Sequence, residues 1–159
     1  MERMYRLFNV RARSEKEVRD YLRNISFKRR VQGEEEISEL TVEQLIERLK
    51  SKGLLNDEAF AFAWVDARRR SKKLGLRALK SELSSKGIDH KVADKILEEN
   101  QVDEEKLAEE ALEKKLRVWK NLQPLEFKKK ATDFLLRKGF EYGVVRTVLE
   151  KVLESRGES

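Results

Sequence analysis

Apolar residues recur along this chain at separations of three and four, and glycines interrupt the runs at short intervals. That period belongs to amphipathic helices, each turning one stripe inward. Helix-start signals punctuate it. "SEKE" (Ser14, Glu17) and "TVEQ" (Thr41, Gln44) have the capping-box spacing, while Asn56 or Asp57, Asp89 and Asp103 are further N-cap candidates. Gly53, Gly75, Gly87 and Gly139 fall where helices should end, and Pro124 suits a first turn. Together the marks predict roughly nine helices joined by short turns.

The pattern also repeats. "LSSKGIDHKVADKIL" from Leu83 lies over "LLRKGFEYGVVRTVL" from Leu135 at an offset of 52. Lys86-Gly87 matches Lys138-Gly139, Ile88 matches Phe140 and Val92 matches Val144. The preceding helices also correspond, with Phe60 over Leu107 and Trp64 over Ala111. A degenerate third copy is readable at the start, as helices near 2–13, 15–25 and 42–52. We therefore expect an all-α fold of three tandem three-helix repeats, 1–55, 56–101 and 102–159, forming an elongated, curved array.

One stretch interrupts this reading. "FKRRVQGEEEI", 27–37, folded about Gln32-Gly33, would set Arg30 opposite Glu35 and Arg29 opposite Glu36. It is read as a small β-hairpin insert, with a helical extension and an irregular loop as the alternatives.

Composition sharpens the picture. Charged residues make up 42% of the chain and hydrophobic residues 39%, too little apolar material for one thick core but enough for stacked helical layers. There is no cysteine, which excludes disulfides and thiolate metal sites. No apolar run is long enough for a membrane span, and the first residues lack a secretory signal, so a soluble cytoplasmic protein is expected. The single histidine, His90, beside Asp89 and Lys91, reads as a solvated first-turn side chain. No catalytic residue, metal ligand, phosphate-binding loop or cofactor site is expected, and no enzyme activity.

The net charge of +6 is uneven. Arg68, Arg69, Arg70, Lys72, Lys73, Arg77 and Lys80 form a run without an acid, and they are the leading candidates for contact with an anionic partner. On a helical wheel Phe60, Ala63, Trp64, Ala67, Ser71 and Leu74 make the expected buried stripe. Phe62 falls on the outward face with Arg69 and Lys73. It either packs against a neighbouring repeat or joins those cations in binding. Lys128, Lys129, Lys130, Arg137 and Lys138 form a secondary basic group, with Lys114, Lys115, Arg117 and Lys120 on the helix before it.

"GLLNDEAFAFAWVDARRRSKKLGLRALKSELSSKGID", 53–89, resembles the central signature of the RecX regulatory proteins. "ARSEKEVRDYL" is similar to that family's entry motif, with Val18 in place of a leucine, and "FLLRKGFEYGVVRTVLEKVL" is similar to its closing repeat. The insert at 27–40 departs from the pattern. The resemblance implies a non-enzymatic regulator, mostly an inhibitor, of the RecA recombinase. It would bind the groove of the RecA filament on single-stranded DNA and suppress ATP hydrolysis, strand exchange and filament growth. Some relatives bind DNA directly, so single-stranded and double-stranded DNA are both expected partners. Two other readings stand beside it: a helix-turn-helix DNA-binding protein built on 79–97, and a protein-interaction repeat array.

Overall fold

The computed structural model describes residues 2–157, which form nine α-helices and no strand. In order they are α1 (Glu2–Val10), α2 (Glu15–Val31), α3 (Glu39–Ser51), α4 (Asp57–Ser71), α5 (Leu76–Ser85), α6 (His90–Glu99), α7 (Glu104–Val118), α8 (Pro124–Arg137) and α9 (Tyr142–Ser155). Three hydrophobic clusters follow the chain. Met4, Val18, Leu22, Ile46, Leu49 and Leu55 form the first. The second is built on Phe60, Val65, Leu79, Leu83, Ile96 and Leu97, and the third on Leu107, Leu112, Phe127, Leu135, Phe140 and Val148. Val102 packs against both the second and the third.

The lysine-glycine-apolar signature is a helix stop. After α5, Gly87 takes φ +78°, its N–H donates to Ser84 and the Ile88 N–H to Leu83. The same pair of bonds closes α8 at Gly139 and Phe140, and α3 at Gly53 and Leu54. This arrangement needs a left-handed residue that glycine supplies cheaply, and it drops the next apolar side chain onto the core. Ile88 and Phe140 are accordingly buried.

Several expectations are corrected. There is no hairpin at 27–37: α2 continues through Val31 and stops at Gly33 with the same pair of bonds, Gly33 N–H to Arg30 and Glu34 N–H to Arg29. The charges meant to face each other across strands instead join the last turn to the returning chain, Arg29 with Glu34 at 3.3 Å and Arg30 with Glu36 at 3.6 Å. The helix gives both arginines a glutamate partner, though a different one from that in the hairpin, and satisfies the backbone within one element. Ser38, not Thr41, caps α3, its Oγ accepting the Thr41 N–H at 3.1 Å. The Ser14–Glu17 capping box forms as expected.

Gly75 starts α5 instead of ending α4, where Lys73 takes the positive φ of 51°. A Cβ on Gly75 would strike the backbone of Gly139 and Phe140, and one on Gly139 would strike Ala78. These glycines let the second and third repeats approach main chain to main chain. Gly75 N–H donates to the Lys138 carbonyl at 3.0 Å, and Arg77 N–H to that of Gly139 at 3.2 Å.

Candidate functional site

The buried side of α4 carries Phe60, Ala61 and Val65, while Ala63, Ala67 and Ser71 of the expected stripe are exposed. With alanines on both sides, composition alone does not fix which face of α4 turns inward. The shift places Arg68 toward α5. There its Nε donates to Glu82 Oε2 at 2.7 Å and its guanidinium lies 4.5 Å from the centroid of Trp64. Trp64 Nε1 donates to the same carboxylate oxygen at 2.8 Å.

The rest of the basic run is distributed. Arg69 Nη1 donates to the Asn100 carbonyl at the end of α6, at 2.6 Å. Arg70 pairs with Asp66 at 2.5 Å, Lys73 with Glu110 at 2.7 Å and Lys80 with Asp94 at 2.9 Å. Arg77 Nη2 donates to the Leu136 carbonyl at 2.7 Å. Arg69, Arg70 and Lys73 share one cleft with Asp66, Asp103, Lys106 and Glu110, whereas Arg68, Arg77 and Lys80 lie along α5 and its neighbours. Most of the counter-ions come from other helices, which a run scanned for local acids cannot reveal. Lys72 alone of the seven lacks an ion pair or hydrogen bond from its side chain among the described residues. Phe62 is 45% exposed, so it is not packed into a neighbouring repeat.

The secondary basic group gives the most concentrated site. Lys115, Lys130, Arg137 and Lys138 line a cleft of about 550 Å³ together with Trp119, Asp133 and Phe134. Lys138 Nζ donates to the Lys72 carbonyl at 2.6 Å, bringing the end of α4 to the rim. The Lys115 and Lys138 ammonium groups each sit 5.5 Å from the Phe134 centroid, and Trp119 meets that ring edge-on at 5.8 Å. Burial, then the charges of Lys72 and Lys115, hold the Lys138 ammonium below the usual lysine range. Burial is the larger cause, and the two neighbouring lysines add to it. Lys130 pairs with Glu126 at 3.4 Å, Arg137 Nε bonds the Asp133 carbonyl, and Lys128 and Lys129 point to solvent. Trp119 and Phe134 are absent from any reading of the basic pattern alone. A position-by-position alignment of the repeats is the signal that reaches Phe134, because it falls opposite Glu82.

Comparison with known proteins follows the same division. Residues 56–97 match the second three-helix domain of RecX, and residues 103–149 match the third. The regulatory protein RecX of Amycolatopsis mediterranei is 34% identical over 152 residues, covering 95% of this chain and 81% of that protein. The chain belongs to the RecX family. The regulatory protein RecX of Streptomyces coelicolor is 34% identical over 124 residues, covering 77% of this chain and 66% of that protein, so the match leaves about a third of that relative unspanned. A crystal structure of RecX from Lactobacillus salivarius superposes with a TM-score of 0.77 at 25% identity, over 92% of this chain and 89% of that one. The family models thus cover the second and third three-helix domains, in that order.

Proposed function

We propose that this RecX protein regulates the RecA recombinase as a binding protein, without enzymatic chemistry. It lies lengthwise in the groove of a RecA filament on single-stranded DNA and suppresses ATP hydrolysis, strand exchange and filament growth. The repeats, 1–55, 56–101 and 102–159, act as successive contact modules of a curved, elongated body, so modest contacts add through effective concentration. The observation that carries the reading is the collection of Lys72, Lys115 and Lys138 at the boundary of the last two repeats, with no carboxylate bonded to any of them among the described residues. Arg69, Arg70, Lys73, Arg77, Lys80 and Phe62 supply further contact along the second repeat, exchanging internal partners for those of the filament. Lys128, Lys129, Lys130 and Arg137 extend it along the third. The site of action is the cytoplasm, away from membranes.

Insertion of α6 into a duplex groove is disfavoured by Asp94, Glu98 and Glu99 on its exposed surface, which phosphates repel. The deciding experiment is a titration of the protein into RecA on single-stranded DNA, with ATP hydrolysis read at two salt concentrations. Suppression at far fewer copies than RecA, weakening as salt rises, is expected. Unchanged hydrolysis at equimolar protein rejects the reading.

A further inference from the structure

The two inter-repeat junctions can be compared position by position, because both are built from a helix N-cap, the following repeat's first helix and the next lysine-glycine turn. Counting from the N-caps Ser14 and Gly75, Arg11 corresponds to Lys72 and Glu17 to Ala78. Counting from the N-caps Asn56 and Asp103, Arg68 corresponds to Lys115. Counting back from Gly87 and Gly139, Lys86 corresponds to Lys138 and Glu82 to Phe134. The buried sets agree with this register: Phe60, Ala61 and Val65 answer Leu107, Ala108 and Leu112, and Leu83 answers Leu135.

At the first junction the three cations are neutralised from within. Glu17 accepts both Arg11 Nη atoms at 2.9 and 3.0 Å and Lys86 Nζ at 2.7 Å. Glu82 accepts Arg68 and Trp64. At the second junction all three cations persist as Lys72, Lys115 and Lys138, and both acids are replaced, by Ala78 and Phe134. Lys115 and Lys138 stand there over the Phe134 ring in an open cleft, and Lys72 lies close by, its carbonyl bonded by Lys138 and its charge acting on that ammonium. Three like charges without a counter-ion oppose folding, so their retention where both acids are missing points to an anion from outside.

The aromatic lining beside the cations chooses among anions. Where the internal partner is a carboxylate, two of the three positions are arginine, whose planar fork matches it. At the second junction all three are lysine, whose compact point charges bind either anion and need no planar partner. The Phe134 edge and Trp119 offer an apolar wall next to them, as sites for unpaired bases do. Asp133 also lines the cleft, a carboxylate from which a bound phosphate must keep its distance.

We propose that the cleft at the junction of the second and third repeats binds backbone phosphates of single-stranded nucleic acid, in the role that Glu17 and Glu82 fill at the first junction. This rests on the reading above that nucleic acid is part of the bound polymer, and it gives that contact an address of its own. The substitutions of Ala78 and Phe134 for acids open the site, and the first junction is closed to the same ligand.

The test omits RecA, so its failure is separate from failure of the regulatory reading. Binding of the full chain to labelled oligothymidylate is measured by fluorescence anisotropy across a salt series. The double substitution Ala78→Glu with Phe134→Glu restores both internal acids. It is expected to weaken binding by about tenfold or more and to reduce the log–log salt slope by about 2, the value for three phosphate contacts on a single strand. It is expected to melt cooperatively by circular dichroism, at a lower midpoint because Phe134 packs on Trp119 and the third hydrophobic cluster. Asn24→Glu with Gln44→Glu changes net charge equally on the first repeat and is expected to alter affinity less than about threefold. Should the double substitution prevent folding, Lys115→Ala carries the test, with loss of affinity expected and recovery in Lys115→Arg. A folded double variant that binds like the parent overturns the proposal. So does a parent that binds no oligothymidylate, or one in which polyglutamate displaces it at equal charge concentration.

Discussion

The Leu76 backbone N–H donates to Glu104 Oε1 at 2.6 Å, so the first residue of α5 is capped by the first residue of α7. The preceding repeat does the same. Glu15, first in α2, donates its N–H to Asp57 Oδ1, first in α4, at 2.8 Å. In each case an otherwise unpaired helix-start donor is satisfied by a carboxylate from the next repeat, placed at the positive end of the helix dipole. Burial raises both carboxyl groups above their ordinary range, with the charge of Glu15 adding at Asp57 and that of Glu141 at Glu104, against the lowering effect of the N–H bonds. Asp57→Ala and Glu104→Ala are each expected to cost about 1 kcal/mol. For a chain of this size that is a fall in melting temperature of about 2–4 °C, measurable by calorimetry.

Glu17 makes the first junction sensitive to acid. Burial alone would raise its carboxyl, but hydrogen bonds from Arg11 and Lys86 and their charges outweigh it and hold it at about 2, from an ordinary 4.5. A depressed carboxylate contributes stability in full above its unfolded value and loses it as pH falls toward the folded one. The difference in melting temperature between the parent and Glu17→Gln should be constant above about pH 5 and shrink from pH 4.5 to 2. A difference independent of pH over that range would mean that the ion pairs contribute nothing.

The close seam between the last two repeats can be tested with one added methyl. Gly75→Ala puts a Cβ against the backbone of Gly139 and Phe140, and is expected to destabilise by about 1–3 kcal/mol. Gly143→Ala, in α9 with nothing within 4 Å of its Cβ, should be neutral or stabilising by up to about 1 kcal/mol. Denaturant midpoints at equal slope would rank the two.

Within the basic run, folding and binding roles should separate. Arg68→Ala removes a half-buried donor from Glu82 and is expected to destabilise by about 1–3 kcal/mol, whereas Arg70→Ala breaks only a surface pair and should stay within about 0.5 kcal/mol. The same contrast applies to rings. Phe60→Ala is expected to cost about 3–5 kcal/mol and exposed Phe62→Ala much less, so a loss of RecA-filament affinity in Phe62→Ala would report contact and not unfolding.

The helices, their stops and the repeat were legible because each is encoded locally. Ser14 with Glu17, Asp103, Pro124 and the lysine-glycine-apolar turns work through bonds spanning a few residues. What was not legible is what tertiary packing decides. Arg29 and Arg30 find partners among Glu34, Glu35 and Glu36 from a helix as well as from a strand, so the presence of opposite charges does not tell the two apart. Gly75 reads as a helix stop until Gly139, far along the chain, is seen to lie against it. The basic run looks unneutralised because Glu82, Asp94 and Glu110 lie on other helices. The Lys115–Phe134–Lys138 cleft emerges only when each helix of one repeat is set against its counterpart at that helix's own offset.

The two seams also differ in material. Among the described residues the first is fastened by side chains, Glu17 to Lys86 and Asp57 to the start of α2, while the second has direct main-chain bonds from Gly75 and Arg77. Side-chain ion pairs yield to electrolyte and acid; amide bonds shielded between close-set glycines do not. The fastenings that acid and salt can loosen are therefore gathered at the junction nearer the amino end, while the junction nearer the carboxyl end keeps its main-chain bonds under the same conditions.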